Sequence, residues 1–168
     1  MGKHIISIDE ALADNVRLVD ARWFLPNSGR DGASEYALGH IPGAVFFPLE
    51  EVITPHSDHP HRAPSPARMA EWLGSVGISP KDDVVVYDET GFFSAPRVWF
   101  LMKALGHEHA RVLDRGLQGW KEEGGELTAK VPTVTPSSYP LSENLAWPVV
   151  ERRAVQAAIE GAADIQIA

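Results

Sequence analysis

Cysteine is missing from all 168 residues, which removes disulfides, thiolate metal sites and cysteine-based catalysis from anything this chain does by itself. Long apolar runs are missing too. No stretch approaches the roughly 20 residues of a membrane span, so a soluble protein is expected. Basic residues are in deficit, with 15 Lys and Arg against 23 Asp and Glu and a net charge of −8. Such a surface repels phosphate backbones and anionic lipid head groups, which argues against nucleic acid and membranes as partners. The N-terminus shows no basic segment followed by an apolar core, and Met1-Gly2 is not followed by Ser or Thr at the position that myristoylation requires. A cytoplasmic location is therefore the expectation.

What is present has the composition of one ordinary globular domain, 44% hydrophobic and 23% charged. Ile8 to Ala13 reads as a short helix, Val16 to Asp20 as a strand and Ser34 to Leu38 as a helical turn. The turn Gly39-His40-Ile41-Pro42-Gly43 leads to a second strand over Ala44 to Phe47. A proline-rich loop carrying His56, His59 and His61 precedes a helix at Ala67 to Val76. Val84 to Tyr87 is a buried strand, and Ala95 to Leu105 a helix with apolar residues at Val98, Leu101, Met102 and Leu105, ended by Gly106. Arg111 to Asp114 is a further strand, and Leu117 to Glu123 a short helix stopped by Gly124-Gly125. Strands separated by helices of this length imply βαβ units, hence an α/β fold with a parallel sheet and helices on both faces.

Beyond Gly125 the chain is rich in Thr, Ser and Pro as far as Pro140. We divide it into a domain over residues 1–130, an extended linker over 131–148, and the start of a second repeat over 149–168. In that last part a helix through Ala154, Val155 and Ile159 precedes Ile165 to Ala168, which stands in the place of Val16 to Val19. A tail of this composition should make few core contacts and add little stability.

The chemistry is expected where the buried strand ends and the loop Asp88-Glu89-Thr90-Gly91-Phe92-Phe93-Ser94 runs into the next helix. In open α/β sheets that position holds ligands and nucleophiles, because a helix N-terminus offers free N–H groups to an anion. No nucleophile of the expected kind is there.

Four segments together carry a resemblance. They are Leu18-Val19-Asp20-Ala21-Arg22, Glu35-Tyr36 through Gly39-His40-Ile41-Pro42-Gly43-Ala44, the loop at 88–99, and Val112-Leu113-Asp114-Arg115-Gly116-Leu117-Gln118-Gly119-Trp120. In this order over roughly 110 residues the chain resembles the rhodanese superfamily. Trp23-Phe24-Leu25-Pro26 with Gly29-Arg30-Asp31, and Phe93 through Trp99, are similar to the first, noncatalytic half of tandem-domain 3-mercaptopyruvate and thiosulfate sulfurtransferases. The resemblance implies a five-stranded rhodanese-like domain without a cofactor. Its partner would be a second rhodanese domain of the same protein, carrying a cysteine that becomes a persulfide and receives sulfur from a small anionic donor. Asp88 stands at the counterpart of that cysteine, so this chain alone should be inactive. The active cleft would lie between the halves, with Trp23 and Phe93 excluding water from the partner's persulfide and Arg97 beside the loop. His40 and Asp31 match positions proposed to handle protons with a serine of the other half. Alternatively, the imidazole simply ties the turn before Pro42 to neighbouring backbone. If Trp23, Phe93 and His40 normally face the other half, they form an apolar patch exposed unless something covers it, and self-association through that side is expected.

Other readings are weaker. A carboxylate nucleophile with magnesium needs a second aspartate two positions after the first, where this chain has Thr90. The three loop histidines invite a metal, yet no strand scaffold is evident around them, so no metal site is expected. Arg30, Arg97 and Arg115 are candidates for an anionic substrate or for pairing with local carboxylates. A stand-alone rhodanese-like binding module, without turnover, remains the alternative function.

Overall fold

The apolar run Val84–Tyr87 lies in the middle of the sheet. The structure, a computed structural model, describes residues 3–12, 16–52, 63–141, 146–147, 149–150 and 152–161. Its strands are β1 (Ile5–Ile6), β2 (Val16–Asp20), β3 (Val45–Phe46), β4 (Asp83–Tyr87) and β5 (Ala110–Leu113). They form one sheet in the order β1-β5-β4-β2-β3, and every neighbouring pair is parallel. Helices α1 (Ile8–Ala11), α2 (Gly32–Leu38), α3 (Leu49–Val52), α4 (Pro66–Ser75), α5 (Ala95–Ala104), α6 (Gly116–Glu122) and α7 (Arg152–Ile159) follow in chain order.

The period of two in β4 divides the core. Val84 and Val86 enter one apolar cluster with Met69 and Leu73 of α4 and Val98, Leu101 and Met102 of α5. Val85 and Tyr87 enter another with Ile8 and Ala11 of α1 and Leu117 and Trp120 of α6. A parallel strand covered on both faces reads as a continuous hydrophobic run rather than an alternating one, and this is why Val84–Tyr87 stands out in the sequence. Helix α4 starts where Ser65 accepts the Arg68 N–H and Pro66 fills the first turn.

The expected elements are present with ends shifted by no more than two residues. Two were missed: β1, an edge strand of two residues, and α3, a single turn. Neither is long enough to show a period.

The tail differs more. Its Ser, Thr and Pro content suggested few core contacts, but Tyr139 is buried in the first cluster and Val134 packs against it. The Ser137 N–H donates to the Gly74 carbonyl at 2.8 Å. Gly74 permits this approach, since a Cβ there would lie 2.4 Å from the Ser137 oxygen. Further on, the Ala146 N–H donates to the Ala104 carbonyl, and Trp147 meets Trp99 edge-on at 5.6 Å. Composition misled because docking rests on two side chains and on a glycine groove of a helix sixty residues earlier. Helix α7 has no buried residue, and the expected strand Ile165 to Ala168 lies outside the described residues, as do His56, His59 and His61.

Ending the chain after Lys130 should therefore cost about 2–5 kcal/mol, the range for losing a large core side chain. Ending it after Trp147 should cost much less. Urea denaturation of the two truncations against the full chain checks the ranking, and equal midpoints would show that Tyr139 and Val134 do not stabilise the domain.

Candidate functional site

Asp88 follows β4 directly and is 1% exposed. Its Oδ1 accepts the N–H groups of Thr90, at 2.9 Å, and of Gly91. Its Oδ2 accepts those of Phe93, Ser94 and Ala95 at 2.7–2.8 Å. Five backbone donors thus converge on one carboxylate. A carboxylate has about four lone-pair positions, so this one is saturated. The loop is pinned from outside as well: Leu117 and Gln118 at the start of α6 donate to the carbonyls of Asp88 and Glu89, and the Ser94 hydroxyl donates to the Ala21 carbonyl. Gly116 sits at φ 53°, and a Cβ there would lie 2.4 Å from the Asp88 carbonyl oxygen, so the loop and α6 can meet only through glycine.

A second polar group lies beneath, at the end of β2. Asp20 and Arg22 form a buried ion pair: the Arg22 Nε and Nη2 donate to Asp20 at 2.8–3.1 Å, and Nη2 also donates to the Gly39 carbonyl. The Tyr87 hydroxyl donates to Asp20 Oδ2 and accepts the Ile41 N–H. Burial works against the Arg22 charge, but the hydrogen bonds and charge of Asp20 outweigh it and the guanidinium pKa is raised. Burial first, then the Asp20 charge, pushes the Tyr87 phenol up, so it stays a donor. Sequence reasoning quoted Asp20 and Arg22 within a motif without giving them this role. The available signal was a charged pair two residues apart at the end of an apolar strand.

Around the loop, Trp23 stacks on Phe93 with centroids 5.9 Å apart, and its Nε1 donates to Glu50 at 2.6 Å. Phe93 and Phe92 are 57% and 54% exposed. Arg97 is half-buried; burial lowers its pKa and the Glu50 charge opposes the shift. Trp23, Phe93, Glu50 and Arg97 thus gather beside the loop. Arg30 pairs with Glu35 at 2.5 Å and with Glu89 at 3.4 Å, lying over the Phe24 ring, while Arg115 pairs with Glu122 and Glu123. Both arginines take the local-pairing alternative.

His40 departs from the exposed-patch expectation and takes the alternative of tying its turn to neighbouring backbone. It is 0% exposed, so it does not belong to an exposed patch with Trp23 and Phe93. Its Nδ1 lies 2.8 Å from the Tyr36 carbonyl oxygen and its ring stacks on Tyr36 at 3.9 Å. Nδ1 therefore carries the proton, and Nε2 is enclosed without a hydrogen-bond partner among the described residues. Asp31 is not joined to it. It is the N-cap of α2, where its Oδ1 accepts the Ser34 N–H at 2.8 Å and the bonds from Ser34 lower its pKa. His40 faces inward because the Tyr36 hydroxyl, donating to the Ala44 carbonyl, and the Thr128 backbone, paired with that of His40, fold the turn onto the domain.

Among the described residues no group of three or more His, Cys, Asp or Glu could hold a metal, and no helix is long and apolar enough to cross a membrane.

A parallel five-stranded sheet with an anion-holding loop between its middle strand and the next helix defines the class of fold. The family model described as the rhodanese-like domain matches residues 7–123, and the chain belongs to that family. It is 40% identical over 126 residues to the 3-mercaptopyruvate sulfurtransferase of Mus musculus, covering 74% of this chain and 42% of the relative. It is 38% identical over 127 residues to the mitochondrial thiosulfate/3-mercaptopyruvate sulfurtransferase 1 of Arabidopsis thaliana, covering 73% and 34%. With the crystal structure of the 3-mercaptopyruvate sulfotransferase SseA from Escherichia coli it shares a TM-score of 0.81 at 30% identity, over 95% of this chain and 64% of that one. The matched part of the chain thus spans less than half the length of these curated relatives.

Asp88→Asn should cost about 3 kcal/mol, since an amide nitrogen would face N–H donors and two or three charge-assisted bonds would weaken. Denaturant titration measures it. A loss below about 1 kcal/mol, the worth of a single neutral hydrogen bond, would mean that the carboxylate does not organise the loop.

Proposed function

We propose that this chain is the noncatalytic half of a sulfurtransferase that moves sulfane sulfur from 3-mercaptopyruvate or thiosulfate to a thiol or cyanide. The sulfur is carried as a persulfide on a cysteine of a second, C-terminal rhodanese domain. The observation that carries this reading is Asp88: the loop where a rhodanese domain would hold its sulfur is filled by the chain's own carboxylate, with every acceptor position taken. A nucleophile needs a free lone pair and access to its substrate, and Asp88 has neither. The likeness to sulfurtransferases of which the matched part covers only 34–42% supports assigning the chemistry to another part of such a protein.

In this reading Trp23 and Phe93 form an apolar wall against the second domain and keep water from its persulfide, and Arg97 adds positive charge near the path of a small anionic donor. His40 contributes through the turn it ties down. We place the protein in the cytoplasm. The alternative, a stand-alone binding module, is favoured by one observation, the exposure of Phe92 and Phe93, which suits any protein partner.

The purified chain should form no thiocyanate from thiosulfate or 3-mercaptopyruvate and cyanide. Turnover that disappears in Asp88→Ala would overturn the noncatalytic assignment. A separately expressed cysteine-bearing second domain should bind the chain, and Trp23→Ala with Phe93→Ala should weaken that binding at least about tenfold, as for aromatic anchors of an interface. Isothermal titration calorimetry reads this. Unchanged affinity would favour the binding-module alternative. Without the second domain, the same face should drive self-association, detectable by sedimentation and reduced in the double variant.

A further inference from the structure

After α6 the chain doubles back across α4 and the end of α5. Residues 134–139 lie there as a strap: Val134 and Tyr139 are packed on the core, and the Ser137 N–H is bonded to the Gly74 carbonyl. Beneath the strap lies His107, which is 0% exposed and takes no part in the candidate site. Its Nε2 is 2.9 Å from the Asp82 carbonyl oxygen and its Nδ1 is 3.1 Å from the Tyr139 hydroxyl, with the two rings stacked at 6.1 Å. A ring nitrogen facing a carbonyl must carry the proton, so Nδ1 is the acceptor and the Tyr139 hydroxyl is its donor.

We propose that the buried His107–Tyr139 pair latches residues 134–139 onto the domain, and that proton uptake at His107 releases this strap while the sheet stays folded. The bonds make the asymmetry. Protonation leaves the Nε2–H donating to Asp82, so the body of the domain loses nothing on that side. On the other side Nδ1 turns from acceptor to donor, so the Tyr139 hydroxyl must reverse from donor to acceptor and turn its proton away from the ring. The imidazolium would be fully enclosed and bonded to no carboxylate, which is costly without water, and the strap covers it on the Tyr139 side. Lifting the strap breaks the Ser137–Gly74 bond and exposes Tyr139, but touches no strand pairing.

The surroundings agree. Asp82 in the turn before β4, Lys103 on α5, His109 before β5 and Tyr139 are the titratable groups that face His107. Burial holds the His107 pKa below its ordinary value; the bond to Asp82 and its charge oppose this, while His109 and Lys103 add to it. The folded value is depressed, so the stability carried by the neutral ring is fully present above the ordinary value of 6.5. It is lost as pH falls through the lowered value.

The inference does not depend on which reaction the longer protein catalyses. It is tested on the full chain by amide hydrogen exchange, with protection factors corrected for intrinsic rates at about pH 7.5 and about pH 5. The Ser137 amide should lose protection by about fivefold or more on acidification, at least the worth of one hydrogen bond, while β4 amides keep theirs. His107→Gln retains one donor and one acceptor but cannot take up a proton, and should reduce the pH effect to less than about twofold. Tyr139→Phe should lower Ser137 protection at neutral pH by about fivefold, as for one lost hydrogen bond. Should the glutamine variant not fold, the NMR titration of the wild-type His107 decides: its midpoint must coincide with that of the Ser137 loss. The proposal is overturned by constant Ser137 protection, by the same pH dependence in His107→Gln, by no effect of Tyr139→Phe, by separate midpoints, or by β4 amides that open in step with Ser137.

Discussion

Five N–H groups converging on the Asp88 carboxylate are the constraint from which the rest of this molecule's character follows. A tight turn of backbone donors concentrates positive potential and is unstable without an anion to answer it. Here the anion is part of the chain. That choice shapes the loop, starts α5 and, through the Asp88 and Glu89 carbonyls, seats α6. It also occupies the loop's backbone donors, which would otherwise be suited to holding a transferable anion.

The loop can be held this way because its floor is rigid. Asp20, Arg22 and Tyr87 join the ends of β2 and β4 to the turn at Gly39–Ile41, and each polar atom of the pair is answered. A buried ion pair adds little net stability against a well-packed apolar substitute, but losing one partner costs about 3–5 kcal/mol. Such a group therefore specifies one arrangement more than it strengthens it. Trp23 follows Arg22 directly, and the pinned backbone leads its ring to the stack on Phe93.

The strap shows how the domain's limits are set by packing rather than by composition. Thr, Ser and Pro make residues 131–141 resemble a free linker, yet the groove at Gly74 and the pocket for Tyr139 fix the path by which the chain leaves the body.

The order of strands and helices, the α/β class and the loop at the end of the middle strand are determined by the sequence, because period, turn residues and capping are local properties. So is the missing thiol: no fold supplies a sulfur nucleophile to a chain without cysteine. The family motifs marked the loop after the middle strand as the candidate site. What the side chains do there was decided only in three dimensions. Asp88 reads as a charge without a purpose until the loop closes on it, and the Asp20–Arg22 pair becomes a buried ion pair only when α2 and its turn cover β2. His40 belongs to a motif that marks it for the surface, but Tyr36, one helical turn earlier, draws it inside. Tyr139 finds its partner His107 thirty-two positions away. Burial and hydrogen-bond partnership are long-range quantities, fixed by which elements pack together, so a local reading shows where the chemistry sits and not what each group there can do.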